Sequence, residues 1–388
     1  MRIYLDNNAT TAIHPAALEA VADALRLGPG NASSVHREGQ AARRLLEESR
    51  DAIASHLAAT PREIVFTGGG SESNNTAIFG LVGRGNLSHI VTTSIEHPSV
   101  SEPIRELEAR GCAVTRVGCG PDGAVDADAM IAALRDETTL VAMILAHNET
   151  GVIQPVERIG AEARARGIAV HVDAVQALGK MPLHVSDLNA DTVSFSAHKL
   201  HGPQGIGALW IRTGRSLDPL VRGGAQERRR RAGTEPVALA AGFATAVGAI
   251  DFEEIERVRA LRERFERRLF EAVPAARVNG RDAKRLPNTS NLVCPGGDGE
   301  AIQIALDLRG IAISTGSACS SGRVEPSRVL LAMGLSVEDA KSSIRISLGR
   351  TNTEEEIDRA LAALVEVIGI QTARAATAAG ERGRGPSE

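Results

Sequence analysis

Aromatic side chains are almost missing from this chain: Phe, Trp and Tyr together make up 2% of 388 residues. So few rings cannot build the stacking platform that single-stranded nucleic acid requires. An excess of one charge is missing too. Lys and Arg number 44 against 48 Asp and Glu, a net −4 with His neutral, which directs the chain toward neither nucleic acid nor an anionic membrane. No apolar run reaches the ~18 residues of a membrane span, so no membrane partner is expected. Cysteine is sparse: Cys112, Cys119, Cys294 and Cys319 stand apart, without CxxC spacing. That argues against zinc and against a disulfide framework, and a reducing, cytoplasmic setting is expected. The opening residues Met1 to Asp6 show no signal-peptide pattern.

What remains is a chain rich in Ala and Gly, long enough for two domains with sizeable cores. Strand patterns recur at residues 63–66, 89–93, 140–145 and 169–172, with helical patterns between them. Repeated βα units predict an α/β fold around a largely parallel sheet. Polar clusters follow several of these strands: Ser94-Ile95-Glu96-His97-Pro98, Ala146-His147-Asn148-Glu149-Thr150 and Asp173-Ala174-Val175-Gln176. Such sheets bind ligands beyond the carboxyl ends of their strands. The first strand runs into Thr67-Gly68-Gly69-Gly70-Ser71, followed by an apolar helix expected from about Thr76. Strand, glycine turn and helix make an anion site, here without the Lys-Ser/Thr ending of a Walker loop. From about Asp251 the pattern changes to a long charged helix and then an α+β unit. The division expected is a large domain over 15–252 and a small one formed by 1–14 and 253–375, with a disordered tail over 376–388.

One lysine organises the rest. Val193 and Phe195 alternate with small polar residues as in a short strand, and Ala208 to Ile211 reads as a second. Between them a turn rich in Gly and Pro carries Ser196, His198 and Lys199. A lysine fixed there, beside side chains that donate to an anion, suits imine chemistry next to a phosphate. The His198/His201 pair lies in an irregular loop with no third ligand nearby, so no metal is expected. Arg228 to Arg231 form the one basic run; it is short and carries no interleaved aromatics, which argues against nucleic acid.

Taken together, Ser-Ala-His-Lys with Gly-Pro-Gln-Gly-Ile-Gly-Ala-Leu after it, and Gly-Ser-Ala-Cys at Gly316 to Cys319, resemble the cysteine desulfurases of the NifS/IscS type. These are fold-type I pyridoxal-phosphate enzymes of the class V aminotransferase group. The resemblance runs from Tyr4 to Arg350 and implies a large domain with a mostly parallel seven-stranded sheet between helices, plus a smaller α+β domain.

The resemblance also implies roles. Lys199 would hold the cofactor covalently and shuttle protons, and Asp173 would pair with its pyridine nitrogen. His97 would stack on its ring and assist proton transfer. Gln176 would reach its phenolic oxygen, with Asn148 close to that oxygen and to the substrate carboxylate. Gly70, Ser71, Ser196 and His198 would hold the phosphate, completed by Thr234 from the partner subunit of a homodimer. That would place the arginine run in a dimer and cofactor loop. Arg345 would clamp the carboxylate of L-cysteine, with Asn31 and Arg350 contributing to that pocket. Cys319 would be the nucleophile that carries sulfur as a persulfide to a thiol acceptor, an iron–sulfur scaffold or another carrier; the loop after it resembles the longer-loop group I. The other cysteines are expected to be structural. Two rival readings are a selenocysteine lyase or other class V enzyme on the same fold, and a catalytically idle dimeric scaffold.

Overall fold

A computed structural model describes residues 2–83, 88–315 and 325–382, with side chains described as far as residue 373. Twelve strands are formed among these residues. In chain order they are β1 (Ile3–Tyr4), β2 (Ile64–Thr67), β3 (His89–Thr93), β4 (Ala113–Val117), β5 (Thr138–Ile144), β6 (Ala169–Asp173), β7 (Thr192–Ser196), β8 (Gly207–Ile211), β9 (Arg277–Val278), β10 (Thr289–Val293), β11 (Ile311–Ala312) and β12 (Ser343–Ser347).

Seven of them build one sheet in the order β2-β8-β7-β6-β5-β3-β4. Only β8 runs against its neighbours there, pairing antiparallel with both β2 and β7. Period-2 alternation explains the two covered faces. Ile90 and Leu140 pack into one apolar cluster with Ile78, Val100 and Ile104. The adjacent residues Val91 and Val141 join Phe66, Val172 and Phe195 in the cluster on the other side. The register places Ile144 beside Asp173 and Asp173 beside Ser194, so β5, β6 and β7 end at one edge of the sheet.

A separate apolar cluster joins the chain's two ends. Ile3 and Leu5 pack with Phe265, Leu269, Leu292, Ile344, Ile346, Leu361 and Leu364. It lies among the helices Phe252–Ala272 and Glu354–Arg382 and a three-stranded sheet in the order β12-β10-β9. β1 pairs parallel with β11, more than 300 residues away in the chain, a pairing that the short polar look of residues 1–14 conceals.

One helix boundary differs from the expected one. The helix after the glycine turn begins at Gly70, not near Thr76, and runs to Val82. Gly69, at φ 150°, sets that start. A side chain at Gly207 of the adjacent strand would come within 2.7 Å of Gly69 backbone, so both glycines serve a close backbone approach. The last helix is described from Glu354 to Arg382. Its Ala- and Arg-rich sequence has strong helix propensity. No helix among the described residues is long and apolar enough to cross a membrane.

Candidate active site

The carboxyl edge of the sheet opens into a cleft of about 420 Å³, within the usual range for a small-molecule site. Gly70, Ser71, His97, Asn148, Asp173, Gln176, Ser196, His198, Lys199 and Arg345 all line it, together with Asn8, Ser99 and Ser314.

At one end lies the first turn of the helix Gly70–Val82. Amides of a first helical turn have no partner within the helix and point outward. Ser71 sits in that turn, and Ser196 ends β7 opposite it. His198 lies within 3.0 Å of Thr10 Oγ1. Burial, Lys199 and Lys180 push its pKa down to about 4, so the imidazole is neutral near pH 7.

Farther along the edge, the buried Asp173 carboxylate accepts hydrogen bonds from Asn74 Nδ2 at 2.7 Å and Val175 N at 3.0 Å. Asn74 is itself held: its Oδ1 lies 3.0 Å from His171 Nε2, and His171 Nδ1 lies 2.9 Å from Thr192 Oγ1. His97 caps the helix Pro98–Ala109, with Nδ1 accepting from Ser99 N at 3.1 Å. That contact leaves Nε2 as the protonated nitrogen of the neutral ring. Desolvation lowers the pKa of His97, opposed by Asp173 and reinforced by Lys199.

Lys199 follows β7 on a single 3-10 turn, Ala197–Lys199. Its Nζ donates to the main-chain oxygens of Asn8 and Ala9, both at 2.7 Å. Burial, with Arg345 adding to it, lowers its pKa to about 8 against the pull of Asp6 and Asp173. An amine so placed loses its proton far more readily than a surface lysine, which is what attack on a carbonyl carbon needs.

Arg345 reaches the cleft from β12, in the other part of the molecule. Its Nη2 donates to Asp6 Oδ1 at 2.6 Å and its Nη1 to Asn148 O at 3.2 Å. Nε is buried and has no hydrogen-bond partner among the described residues. An unpaired buried guanidinium N–H is costly, and an incoming carboxylate would satisfy it.

Four predicted residues are not part of this cleft as described. Asn31 is exposed, its Oδ1 accepting from Ser33 N at 2.8 Å. Arg350 pairs with Glu254 at 2.7 Å and faces a different cavity. Thr234 is exposed, beyond a loop anchored by Glu227. The buried Glu227 carboxylate receives Arg50 at 2.7 and 2.9 Å and Phe66 N at 3.2 Å. Cys319 lies outside the described residues.

Sequence reasoning also missed Asn8, Asn74, His171 and Lys180. Asn74 sits three positions beyond Ser71 on the same helix, a spacing that puts both on neighbouring turns. Nothing local marks the other three.

The donor set can be tested against pyridoxal phosphate. The group needs phosphate donors at one end, a carboxylate for its ring nitrogen at the other and an amine between them. The glycine turn with Ser71 and Ser196, the doubly hydrogen-bonded Asp173 and the Lys199 amine meet that requirement. The orphaned Arg345 Nε adds a place for the carboxylate of an amino acid.

Fold and cleft together define a doubly covered α/β enzyme of the lysine–phosphate kind. The model of the aminotransferase class-V family matches residues 3–360. A cysteine desulfurase of Nostoc sp. is 43% identical over 370 residues, 94% of this chain and 92% of that one. A cysteine desulfurase IscS of Dictyoglomus turgidum is 41% identical over 373 residues, 94% of each. Among solved structures, a NifS-like protein superposes with a TM-score of 0.88 at 35% identity, covering 95% of this chain and all of that one. The chain belongs to the aminotransferase class-V family.

Proposed function

We propose that the protein is a pyridoxal-phosphate-dependent cysteine desulfurase that converts L-cysteine to L-alanine and leaves a persulfide on Cys319. The observation that carries this reading is the position of the Lys199 amine. It lies between the glycine-turn helix, Asp173 and an arginine with an unpaired buried N–H, in a chain 43% identical to a cysteine desulfurase.

Gly70, Ser71, Ser196 and His198 would hold the phosphate, Asp173 would serve the ring nitrogen, His97 would bind the ring, and Gln176 and Asn148 would serve its phenolic oxygen. When bound, pyridoxal phosphate supplies an electron sink for the negative charge left at the substrate Cα. Arg345 orients L-cysteine by its carboxylate. Lys199 removes the Cα proton and returns a proton to carbon, and the neutral His97 assists that transfer. The Cys319 thiolate attacks the substrate sulfur: an S–S bond forms, the C–S bond breaks and its electron pair stays on carbon, where protonation completes alanine. The persulfide sulfur then passes to a thiol acceptor by exchange, an iron–sulfur scaffold or another thiol carrier. The chemistry needs reduced thiols, which supports a cytoplasmic setting.

The proposed assembly is a homodimer in which Thr234 of each subunit completes the other's phosphate site. Its exposure here, on a loop pinned by the Arg50–Glu227 pair, supports that reading. Thr234→Ala is expected to weaken cofactor binding; cofactor affinity unchanged in a dimer, or full activity in a monomer, would contradict it.

The direct test is turnover. Protein loaded with pyridoxal phosphate should release alanine and sulfide in equal amounts from L-cysteine in the presence of a thiol. Cys319→Ala should keep the cofactor's visible absorbance and lose alanine formation. Full desulfurase activity in Cys319→Ala would overturn the proposal.

A further inference from the structure

Lys180 is buried at 7% exposure, and among the described residues it forms no ion pair with a carboxylate. A lysine buried without a counter-charge is costly, and burial, Lys199 and Arg345 hold its pKa well below the usual lysine value. What it touches is a pair of amide oxygens: Gln176 Oε1 at 2.5 Å and Asn8 Oδ1 at 3.0 Å.

Those two contacts fix the direction of the Gln176 amide. Gln176 Nε2 donates to Asn8 O at 3.0 Å. A main-chain carbonyl only accepts, so the amide nitrogen must lie on that side and the oxygen must face Lys180. Asn8 is fixed independently: its Nδ2 donates to Asn148 O at 3.0 Å and Thr289 Oγ1 at 2.9 Å. Its Oδ1 therefore faces Lys180, and its main-chain oxygen also receives Lys199 at 2.7 Å. Gln176 Nε2 carries two hydrogens. One goes to Asn8 O, and the other is left for the cleft that Gln176 lines.

We propose that Lys180 is a positioning residue: it captures Gln176 Oε1, so that the side chain can present only an N–H to the cleft. Without it only the Asn8 contact holds the amide, and turning its oxygen toward the cleft costs less. Under the proposed function, on which this inference rests, the group facing that N–H is the phenolic oxygen of the cofactor, whose anionic form a donor favours and an acceptor opposes.

The readout is the pH at which the visible absorbance of the loaded protein changes, compared among the native protein, Lys180→Met, Gln176→Leu and the double variant. Lys180→Met is expected to raise the midpoint by about one pH unit, the size of one lost hydrogen bond to a charged group. Gln176→Leu should do the same, and the double variant should move no further than Gln176→Leu alone. A native midpoint in Lys180→Met, or shifts that add in the double variant, would overturn the inference; additive shifts would mean that the charge acts directly. If Lys180→Met does not fold, Lys180→Gln carries the test, because it keeps an N–H donor. Its shift, zero or positive, should vanish in the Gln176→Leu background, and a shift that persists there overturns the inference. Native protein that binds no pyridoxal phosphate at Lys199 would instead defeat the proposed function itself.

Discussion

The seven-stranded sheet and the three-stranded unit meet at the same cleft but arrive in different states. On the sheet side the polar groups already hold one another: Asp173 has two donors, Asn74 is backed by His171, and Lys199 rests on two carbonyls. The three-stranded unit contributes Arg345, and one of its buried N–H groups has no partner among the described residues. A network satisfied in advance is preorganised and suits a group that stays bound. An unsatisfied donor suits one that comes and goes, because its desolvation cost is offset only while the ligand is present. Under the proposed function, that difference would separate a resident cofactor from a transient amino acid within one cleft.

The largest effect should come from the sheet side. Lys199→Ala is expected to lower turnover by at least about 10³-fold and to abolish the covalent link to the cofactor. Borohydride reduction of loaded native protein should tag the peptide holding Lys199; a tag elsewhere would break the assignment.

Arg345→Lys sharpens the contrast. It keeps a charge near Asp6 but loses the fork, so KM for L-cysteine should rise roughly 10–100-fold while cofactor affinity is retained. A fall in cofactor affinity with KM unchanged would reverse the roles given to the two regions.

Asn74→Ala removes a donor to Asp173 and leaves His171 Nε2 unpaired. A stability loss of about 1–3 kcal/mol by denaturant melts is expected, with weaker cofactor binding. Native stability in this variant would mean that the sheet-side network is not preorganised.

A smaller effect is a slope with pH. The Glu96 carboxyl accepts from Thr93 Oγ1 at 2.6 Å and Ile144 N at 3.0 Å through one oxygen, and its other oxygen is buried without a partner among the described residues. Burial raises its pKa from 4.5 to about 8. Between those values the folded state binds the proton and the unfolded state has lost it, so this group reduces stability as pH rises. Glu96→Gln should therefore gain melting temperature relative to native protein between about pH 5 and 8. A constant difference across that range would contradict a buried, protonated Glu96. His147 and His171, with pKa values lowered to about 3 by burial, act in the opposite sense and cost stability as pH falls below the usual histidine value.

Much of this was legible in the sequence, for a local reason. Asp173 ends its strand, and Lys199, His97 and Asn148 follow theirs within four residues, so alternation and turn chemistry place them at one edge of a parallel sheet. What could not be read was the partner of each. Lys180 meets Asn8 across 172 positions and Asn74 meets Asp173 across 99; no periodicity encodes such contacts. Glu227 directly precedes the arginine run in the sequence, yet it is buried against Arg50, 177 positions away. The same limit applies to β1, whose two residues become a strand only because β11 is there to pair with them. Asn31 and Arg350 illustrate the converse: the resemblance carried their expected role, and neither lines the cleft among the described residues.

The central claim is sulfur transfer to Cys319 driven from the Lys199 cleft. The most direct measurement is peptide mass spectrometry of loaded native protein after brief exposure to L-cysteine without an acceptor. The account predicts a gain of one sulfur atom on the Cys319 peptide, absent from Lys199→Ala. Sulfur on the peptides of Cys112, Cys119 or Cys294, or on Cys319 in Lys199→Ala as well, would contradict it.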